Sequence, residues 1–172
     1  MVRPKQMKIL NIKAEDFVNY KKPAMFIGMG TCNFKCCSEA GISPETCQNY
    51  LLQHDCMELE PKTIVGNYMS NSISESVVIG GLEPFDDFMN LLDLVDEFRL
   101  NTDDDIVIYT GYYPDEIVNY LSYLIKYDNI IIKFGRFIPN EKPHKDKLLG
   151  VELASPNQFA VVLSEKYIKE IK

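Results

Sequence analysis

The chain alternates between short apolar runs and longer stretches in which apolar residues recur every three or four positions. Short apolar runs bounded by turn residues are typical of buried strands, and the wider spacing is typical of amphipathic helices. The pattern predicts strands at residues 7–12, 24–29, 77–79, 106–109, 130–132 and 159–163.

Helical spacing is clearest in residues 86–99, where we expect Asp86 or Asp87 to cap the helix. Five apolar residues of this segment fall on one face: Phe88, Leu91, Leu92, Val95 and Phe98. Further helices are predicted at residues 61–69 and 115–125, with a short one beginning at 49–52 and a polar helical end after the last strand. The remaining segments are predicted to be a turn at 13–16, an irregular loop with at most a helical turn at 38–46, and a loop-rich tail at 139–155.

Strand, loop and helix therefore recur along the chain, which predicts an α/β fold with a parallel sheet and right-handed crossovers. At 172 residues we expect a single compact domain, residues 1–172. Ligands of parallel α/β folds bind at the carboxyl ends of the strands. Cys32, Gly80-Gly81, Thr110 and Lys133 each follow the end of a predicted strand, so four loops are expected to converge on one site.

The charge and hydropathy of the chain indicate which ligands and surroundings it does not suit. The formal net charge is -7, and a surface of that sign repels a phosphate backbone, so nucleic acid is not expected as a ligand. No apolar run approaches the ~20 residues that cross a bilayer, and the first twelve residues lack a signal-peptide core. We therefore expect no membrane contact and a cytoplasmic location.

Cysteine is the residue type with the most unusual distribution. Four of the five cysteines fall between Cys32 and Cys47, directly after the apolar run 24–29 and within a loop that we place at residues 30–49. In a reducing cytosol such clustering favours metal or redox chemistry over disulfides. Three thiolates with no nearby histidine suit an iron-sulfur cluster better than a zinc site, although a zinc or purely structural thiol site remains the alternative. Cys56 lies outside the loop and is expected to be a small buried hydrophobe.

Three polar residues near predicted strand ends are candidates for ligand binding. Glu83 can accept hydrogen bonds from an ammonium group, or it can be a carboxylate at a helix start. Thr110 can offer its hydroxyl to a ligand or satisfy a backbone group. Lys133 follows three apolar residues, where its ammonium either pairs with a bound carboxylate or is solvated beyond the strand end. His54 and His144 are expected at the surface.

Several segments together resemble one family, the radical S-adenosylmethionine proteins of the anaerobic ribonucleotide reductase-activating type. The similarity runs from Asp16-Phe17-Val18-Asn19 to Asn157-Gln158. The segments that carry it are Cys32-Asn33-Phe34-Lys35-Cys36, Cys47-Gln48-Asn49, Gly80-Gly81-Leu82-Glu83-Pro84, Tyr109-Thr110-Gly111-Tyr112, Ile132-Lys133-Phe134-Gly135-Arg136-Phe137 and Pro156-Asn157-Gln158.

The cysteine loop departs from the family pattern C-x3-C-x2-C. Cys36 is followed at once by Cys37, ten residues lie between Cys36 and Cys47, and Glu39 stands where the usual third cysteine would be. Either Cys36 or Cys37 can therefore be the second ligand, and Cys36 is preferred because it keeps the family's first spacing. The glycine motif also carries an extra Leu82.

The resemblance implies a partial parallel (β/α) barrel that binds a 4Fe-4S cluster through Cys32, Cys36 and Cys47. It also implies that S-adenosylmethionine chelates the open iron through its amino and carboxylate groups, and that reductive cleavage yields methionine and a 5'-deoxyadenosyl radical. Contacts with this second cofactor are implied for Gly80, Gly81, Glu83, Thr110 and Lys133. No side chain of the chain itself is assigned a catalytic role.

The expected function is that of a radical S-adenosylmethionine oxidoreductase that activates a glycyl-radical enzyme, with an anaerobic ribonucleotide reductase as the partner. A flavodoxin or ferredoxin-like protein is the expected electron donor. Two alternatives stay open, namely an enzyme of the same class that acts on a small molecule or modified nucleobase, and a non-catalytic cluster- or zinc-binding module.

Overall fold

The computed structural model describes residues 5–172, which form nine strands and five helices. The strands are β1 (Met7–Asp16), β2 (Ala24–Met29), β3 (Met57–Leu59), β4 (Ser76–Gly81), β5 (Asp105–Tyr109), β6 (Ile130–Phe134), β7 (His144–Lys145), β8 (Glu152–Leu153) and β9 (Phe159–Val162). The helices are α1 (Lys35–Glu39), α2 (Pro61–Met69), α3 (Phe88–Arg99), α4 (Val118–Leu124) and α5 (Glu165–Ile171). Single 3-10 turns occupy Pro44–Thr46, Leu51–His54, Pro84–Asp87 and Pro114–Glu116.

Seven strands form one mixed sheet in the order β3-β1-β2-β4-β5-β6-β9. The four central strands β2, β4, β5 and β6 are parallel, and β1, β3 and β9 run antiparallel to their neighbours. The predicted α/β class with a largely parallel sheet is therefore confirmed. The strands β7 and β8 form a separate two-stranded ribbon.

The two faces of the sheet are covered differently. Alternate strand residues such as Ile79 and Ile108 pack against α2, α3, α4 and α5 in the main apolar core. The other face has a smaller core, in which Val78 and Val107 are covered by Tyr20 and by Leu149 from the tail. This second cover ends before the carboxyl ends of the strands, which leaves that part of the face open.

At this open end the parallel register aligns one residue from each central strand. Gly28 pairs with Gly80, and Tyr109 pairs with Lys133 in the same row. The missing side chain of Gly28 makes room for Asn11, and a Cβ on Gly80 would lie 3.4 Å from the side chains of Phe26 and Tyr109. A Cβ on Gly28 would also lie 2.2 Å from the side-chain oxygen of Asn11, so that position accepts no larger residue without a shift.

The boundaries of several elements differ from the prediction. The turn predicted at residues 13–16 is wrong, because β1 continues to Asp16 and pairs with β2 there. Backbone pairing overrides the local polarity of this segment. The helices predicted to begin at Asp86 and Asp115 begin instead at Phe88 and Val118, since each follows a 3-10 turn that opens with proline. No helix within residues 5–172 is long and apolar enough to cross a membrane.

Gly81 is the position where we expect an alanine to be most costly. Its φ is +84°, and a Cβ would lie 2.6 Å from the Cα of Gly28 on the paired strand. Gly81→Ala should lower the free energy of unfolding by at least about 2 kcal/mol, measured by urea unfolding of the metal-free protein.

Gly66 provides the matched control. It lies exposed in α2, and a Cβ added there would have no heavy atom within 4 Å, so Gly66→Ala should raise stability by about 0.5–1 kcal/mol. Equal effects of the two substitutions would contradict the close approach of Gly81 to Gly28.

Candidate functional site

The carboxyl ends of β2, β4, β5 and β6 border an open cleft of about 500 Å³. All eight residues that the sequence marked as candidates line it: Cys32, Cys36, Cys47, Gly80, Gly81, Glu83, Thr110 and Lys133. The structure thus brings together side chains that lie up to about one hundred positions apart in the sequence.

The adjacent cysteines differ in their surroundings. Cys36 lines the cleft, while Cys37 is 4% exposed and is not part of the cleft wall. Their sulfur atoms are 4.0 Å apart. Cys56 is only partly buried, and its thiol lies 3.3 Å from the carbonyl oxygen of Gln53, so the prediction of a buried apolar role is wrong.

The cleft offers three thiols, from Cys32, Cys36 and Cys47, as possible metal ligands. Within residues 5–172, no group of three or more His, Cys, Asp or Glu side chains is arranged to hold a single metal ion. In a 4Fe-4S cluster each thiolate binds a different iron, so the sulfur atoms do not need to meet at one point. Three thiols on the wall of one open cleft therefore fit a cluster.

Burial keeps two of these cysteines protonated in the metal-free protein. It raises the pKa of Cys32 to about 12 and, together with the neighbouring Cys37, the pKa of Cys36 to about 11. Since thiolates are the ligands of iron, metal binding at these positions must release protons.

The first part of the cysteine loop is fixed by contacts of its backbone. Phe34 has a left-handed conformation with φ 56°, and its N–H donates to the sulfur of Cys32 over 3.2 Å. The N–H of Asn33 donates to the carboxylate of Asp86 over 2.7 Å, and the hydroxyl of Tyr112 donates to the same carboxylate. Cys32 is therefore held between the exit of β2 and the turn before α3.

The far end of the loop is tied to the glycine motif. Asn49 donates through its side-chain amide to the carbonyl oxygen of Gly81 over 2.9 Å. The backbone N–H groups of Leu82 and Glu83 donate to Met29 and Thr31, so the extra Leu82 prolongs the contact between the β2 and β4 segments. This places Glu83 beside the residue that precedes Cys32.

Glu83 occupies the helix-start position that was one of its two predicted roles. Its carboxylate accepts from the N–H of Phe85, as at a helix start, and it also lines the cleft. It further accepts from the hydroxyl of Thr110 over 2.7 Å and from the N–H of Gly111 over 2.9 Å. Burial raises the pKa of Glu83 to about 7, against the lowering effect of these hydrogen bonds. Thr110 also accepts from the N–H of Tyr112, so its hydroxyl is engaged within the protein.

Lys133 lies inside β6 and is 7% exposed, so the alternative of a solvated lysine beyond the strand is wrong. Its ammonium donates to the carbonyl oxygen of Gly135 over 3.1 Å. Burial lowers the pKa of Lys133 to about 8, although the negative charge of Glu83 acts in the opposite direction. The cleft therefore contains a buried acid and a buried base whose charges are opposite.

Sequence reasoning missed a charged network beside the cysteines. Arg136 is 5% exposed and contacts Glu39 and Glu116, and Lys35 also contacts Glu116. These partners come from two segments far from Arg136 in the sequence, and no spacing in the sequence links them. In the sequence, Arg136 stood out only as part of the segment that contains Lys133, and Glu39 only as standing in place of a cysteine.

Comparison with known families gives one match. The family model described as a 4Fe-4S single cluster domain matches residues 24–158, which include the whole cysteine loop and the four parallel strands. No curated protein and no solved structure matches the chain.

The raised pKa of Glu83 makes the stability of the metal-free protein depend on pH. The folded state holds this proton more tightly than the unfolded chain, so its stabilisation is complete below pH 4.5 and is lost as the pH rises through about 7. Glu83→Gln removes the titration, although the amide also gives up an acceptor for a backbone N–H. Relative to the variant, the wild-type protein should lose up to about 3 kcal/mol of unfolding free energy over this pH range. Parallel stability curves from urea unfolding would contradict the buried, protonated carboxyl.

Proposed function

The chain belongs to the family of 4Fe-4S single cluster domains, and on that premise we propose that it is a radical S-adenosylmethionine enzyme that generates a glycyl radical on a partner enzyme. The observation that carries the proposal is the convergence of three cysteines, a glycine-rich strand exit and two oppositely charged buried side chains on one cleft. The seven-stranded sheet would then be the partial (β/α) barrel of this class, within a single domain.

Cys32, Cys36 and Cys47 are the proposed cluster ligands. All three face the cleft, whereas Cys37 is buried behind Cys36, which supports Cys36 as the second ligand. The N–H of Phe34 would donate to the sulfur of Cys32 in the bound state as well, and such a bond stabilises a thiolate.

The amino-acid part of S-adenosylmethionine has an amino group and a carboxylate, and the cleft offers a partner for each. Glu83 can accept from an N–H of the amino group, while Lys133 can donate to the carboxylate. Binding would favour the charged forms of both side chains, whose pKa values of about 7 and about 8 lie close to neutrality. Gly80 and Gly81 line the cleft without side chains, which lets a ligand approach the backbone at this strand exit. When bound and reduced, the cluster and this cofactor supply the 5'-deoxyadenosyl radical that takes a hydrogen atom from the substrate.

A protein substrate is supported by the rim of the cleft. Phe137 lines the opening and is 51% exposed, and Ile138 beside it is 39% exposed. Exposed apolar side chains at the mouth of a site are more useful to a protein partner than to a small polar substrate. We propose an anaerobic ribonucleotide reductase as this partner, a flavodoxin or ferredoxin-like electron donor, and a cytoplasmic location, which the five free thiols support.

Cluster assembly provides the first test. Anaerobic reconstitution of the wild-type protein should give about four irons and four sulfides per chain. Alanine at Cys32, Cys36 or Cys47 should abolish the stable cluster, while Cys37→Ala and the control Cys56→Ala should retain it, as measured by iron and sulfide analysis. A cluster that survives Cys36→Ala and is lost in Cys37→Ala would move the second ligand to Cys37.

Radical transfer provides the second test. The reconstituted and reduced protein should cleave S-adenosylmethionine. When a candidate reductase is present, and only then, electron paramagnetic resonance should also show a glycyl signal. Cleavage without a glycyl signal on any such reductase would favour a small-molecule substrate. A colourless protein that retains zinc would contradict both enzymatic functions.

A further inference from the structure

Arg136 is a buried cation at the exit of β6 that contacts carboxylates from two other segments. Its Nε lies 2.7 Å from the Glu39 carboxylate, and its Nη1 donates to Glu116 over 2.8 Å. Its Nη2 also donates to Glu116, which makes this second pair bidentate. Bidentate pairs of this kind define a geometry more sharply than a single contact does.

The two carboxylates connect the cysteine loop to the sheet. Glu39 is the last residue of α1, and Glu116 lies in the turn that follows β5. Lys35, the first residue of α1, also pairs with Glu116. Both ends of the helix that carries Cys36 are therefore held by one charged network, which is centred on Arg136.

The segment that follows α1 offers little that could hold the C-terminal end of this helix. Between residues 40 and 46 every residue except Ile42 is exposed, and the only regular structure is the turn Pro44–Thr46. A five-residue helix is not stable by itself in water. The position of α1 must therefore come from contacts with the remainder of the protein.

We propose that Arg136 is a positioning residue that fixes α1, through Glu39 and Glu116, so that the sulfur of Cys36 is presented to the cluster. This inference rests on the cluster site proposed above. Without the guanidinium, Glu39 and Glu116 would lose their shared cation and repel each other, and the C-terminal end of α1 would be released.

Lysine should not replace Arg136 in this role. The guanidinium reaches two carboxylates from different directions and lies over the ring of Tyr113 at 4.9 Å. A lysine ammonium is a single point charge on a flexible stem and lacks the planar fork. Arg136→Lys therefore keeps the positive charge but cannot contact both carboxylates as the guanidinium does. It tests the geometry of these contacts separately from the charge, which a neutral substitution does not.

The metal-free protein gives a readout that does not depend on the cluster. The N–H groups of Ala40 and Ile42 donate to the carbonyl oxygens of Cys36 and Cys37, so their hydrogen exchange reports the opening of α1. In Arg136→Lys and in the milder Glu39→Gln, exchange at both amides should be roughly tenfold faster, which corresponds to about 1.4 kcal/mol. As a control, Asp96→Asn removes the ion pair between Asp96 of α3 and Lys126, and it should leave these exchange rates unchanged.

The reconstituted protein gives the second readout. Both variants should lose iron to a chelator roughly tenfold faster than the wild type and show altered electron paramagnetic resonance g-values of the reduced cluster. A purely structural role would lower the melting temperature without moving these g-values. If Arg136→Lys fails to fold, Glu39→Gln decides the test.

The outcomes separate this inference from the proposed function. Unchanged exchange, chelation rate and g-values in Glu39→Gln would overturn the positioning role and leave the cluster site intact. A wild-type protein that binds no iron would overturn the proposed function, whereas faster exchange in the metal-free variants would still support the anchoring of α1 by Arg136.

Discussion

The parallel register of β2, β4, β5 and β6 is the constraint on which the site depends. Hydrogen bonding between these strands places Gly28, Gly80, Tyr109 and Lys133 in one row across the sheet. Because the strands run in the same direction, the loops that leave them meet at one edge. The cysteine loop, the glycine motif and the buried lysine are neighbours for this reason, although they are far apart in the chain.

Polar contacts, rather than an apolar core, hold the cysteine loop over that edge. Asn33, Asn49 and Glu39 each bind a group on the sheet or on a turn that follows it. A loop of this type can leave its thiols open to an incoming cluster, whereas a loop packed into the core would bury them. Removing a charged group from water costs free energy. Two carboxylates pair with Arg136, and three hydrogen-bond donors contact the Glu83 carboxylate, which offsets this cost.

The main elements of the fold could be predicted from apolar patterning. The strand Ala24–Met29 and the helix Pro61–Met69 lie where the sequence placed them, because burial on both faces and an opening proline leave clear signals. The continuation of β1 to Asp16 could not be predicted, since its pairing with β2 is a tertiary contact. Strand exits pointed to Cys32, Gly80-Gly81, Thr110 and Lys133, whereas Cys36 and Cys47 came from the cysteine clustering and the family resemblance. The network around Arg136 was not predicted, because Glu39 and Glu116 precede it by 97 and 20 residues and no local pattern links them.

We propose that three thiolates hold a 4Fe-4S cluster with one iron free for S-adenosylmethionine. Electron paramagnetic resonance of the reduced, reconstituted protein before and after addition of S-adenosylmethionine tests this most directly. We expect a signal from a reduced 4Fe-4S cluster whose g-values change when S-adenosylmethionine is added, because the amino and carboxylate groups of this ligand would bind the open iron. A cluster signal that does not respond to saturating S-adenosylmethionine, or the absence of any cluster signal, would contradict it.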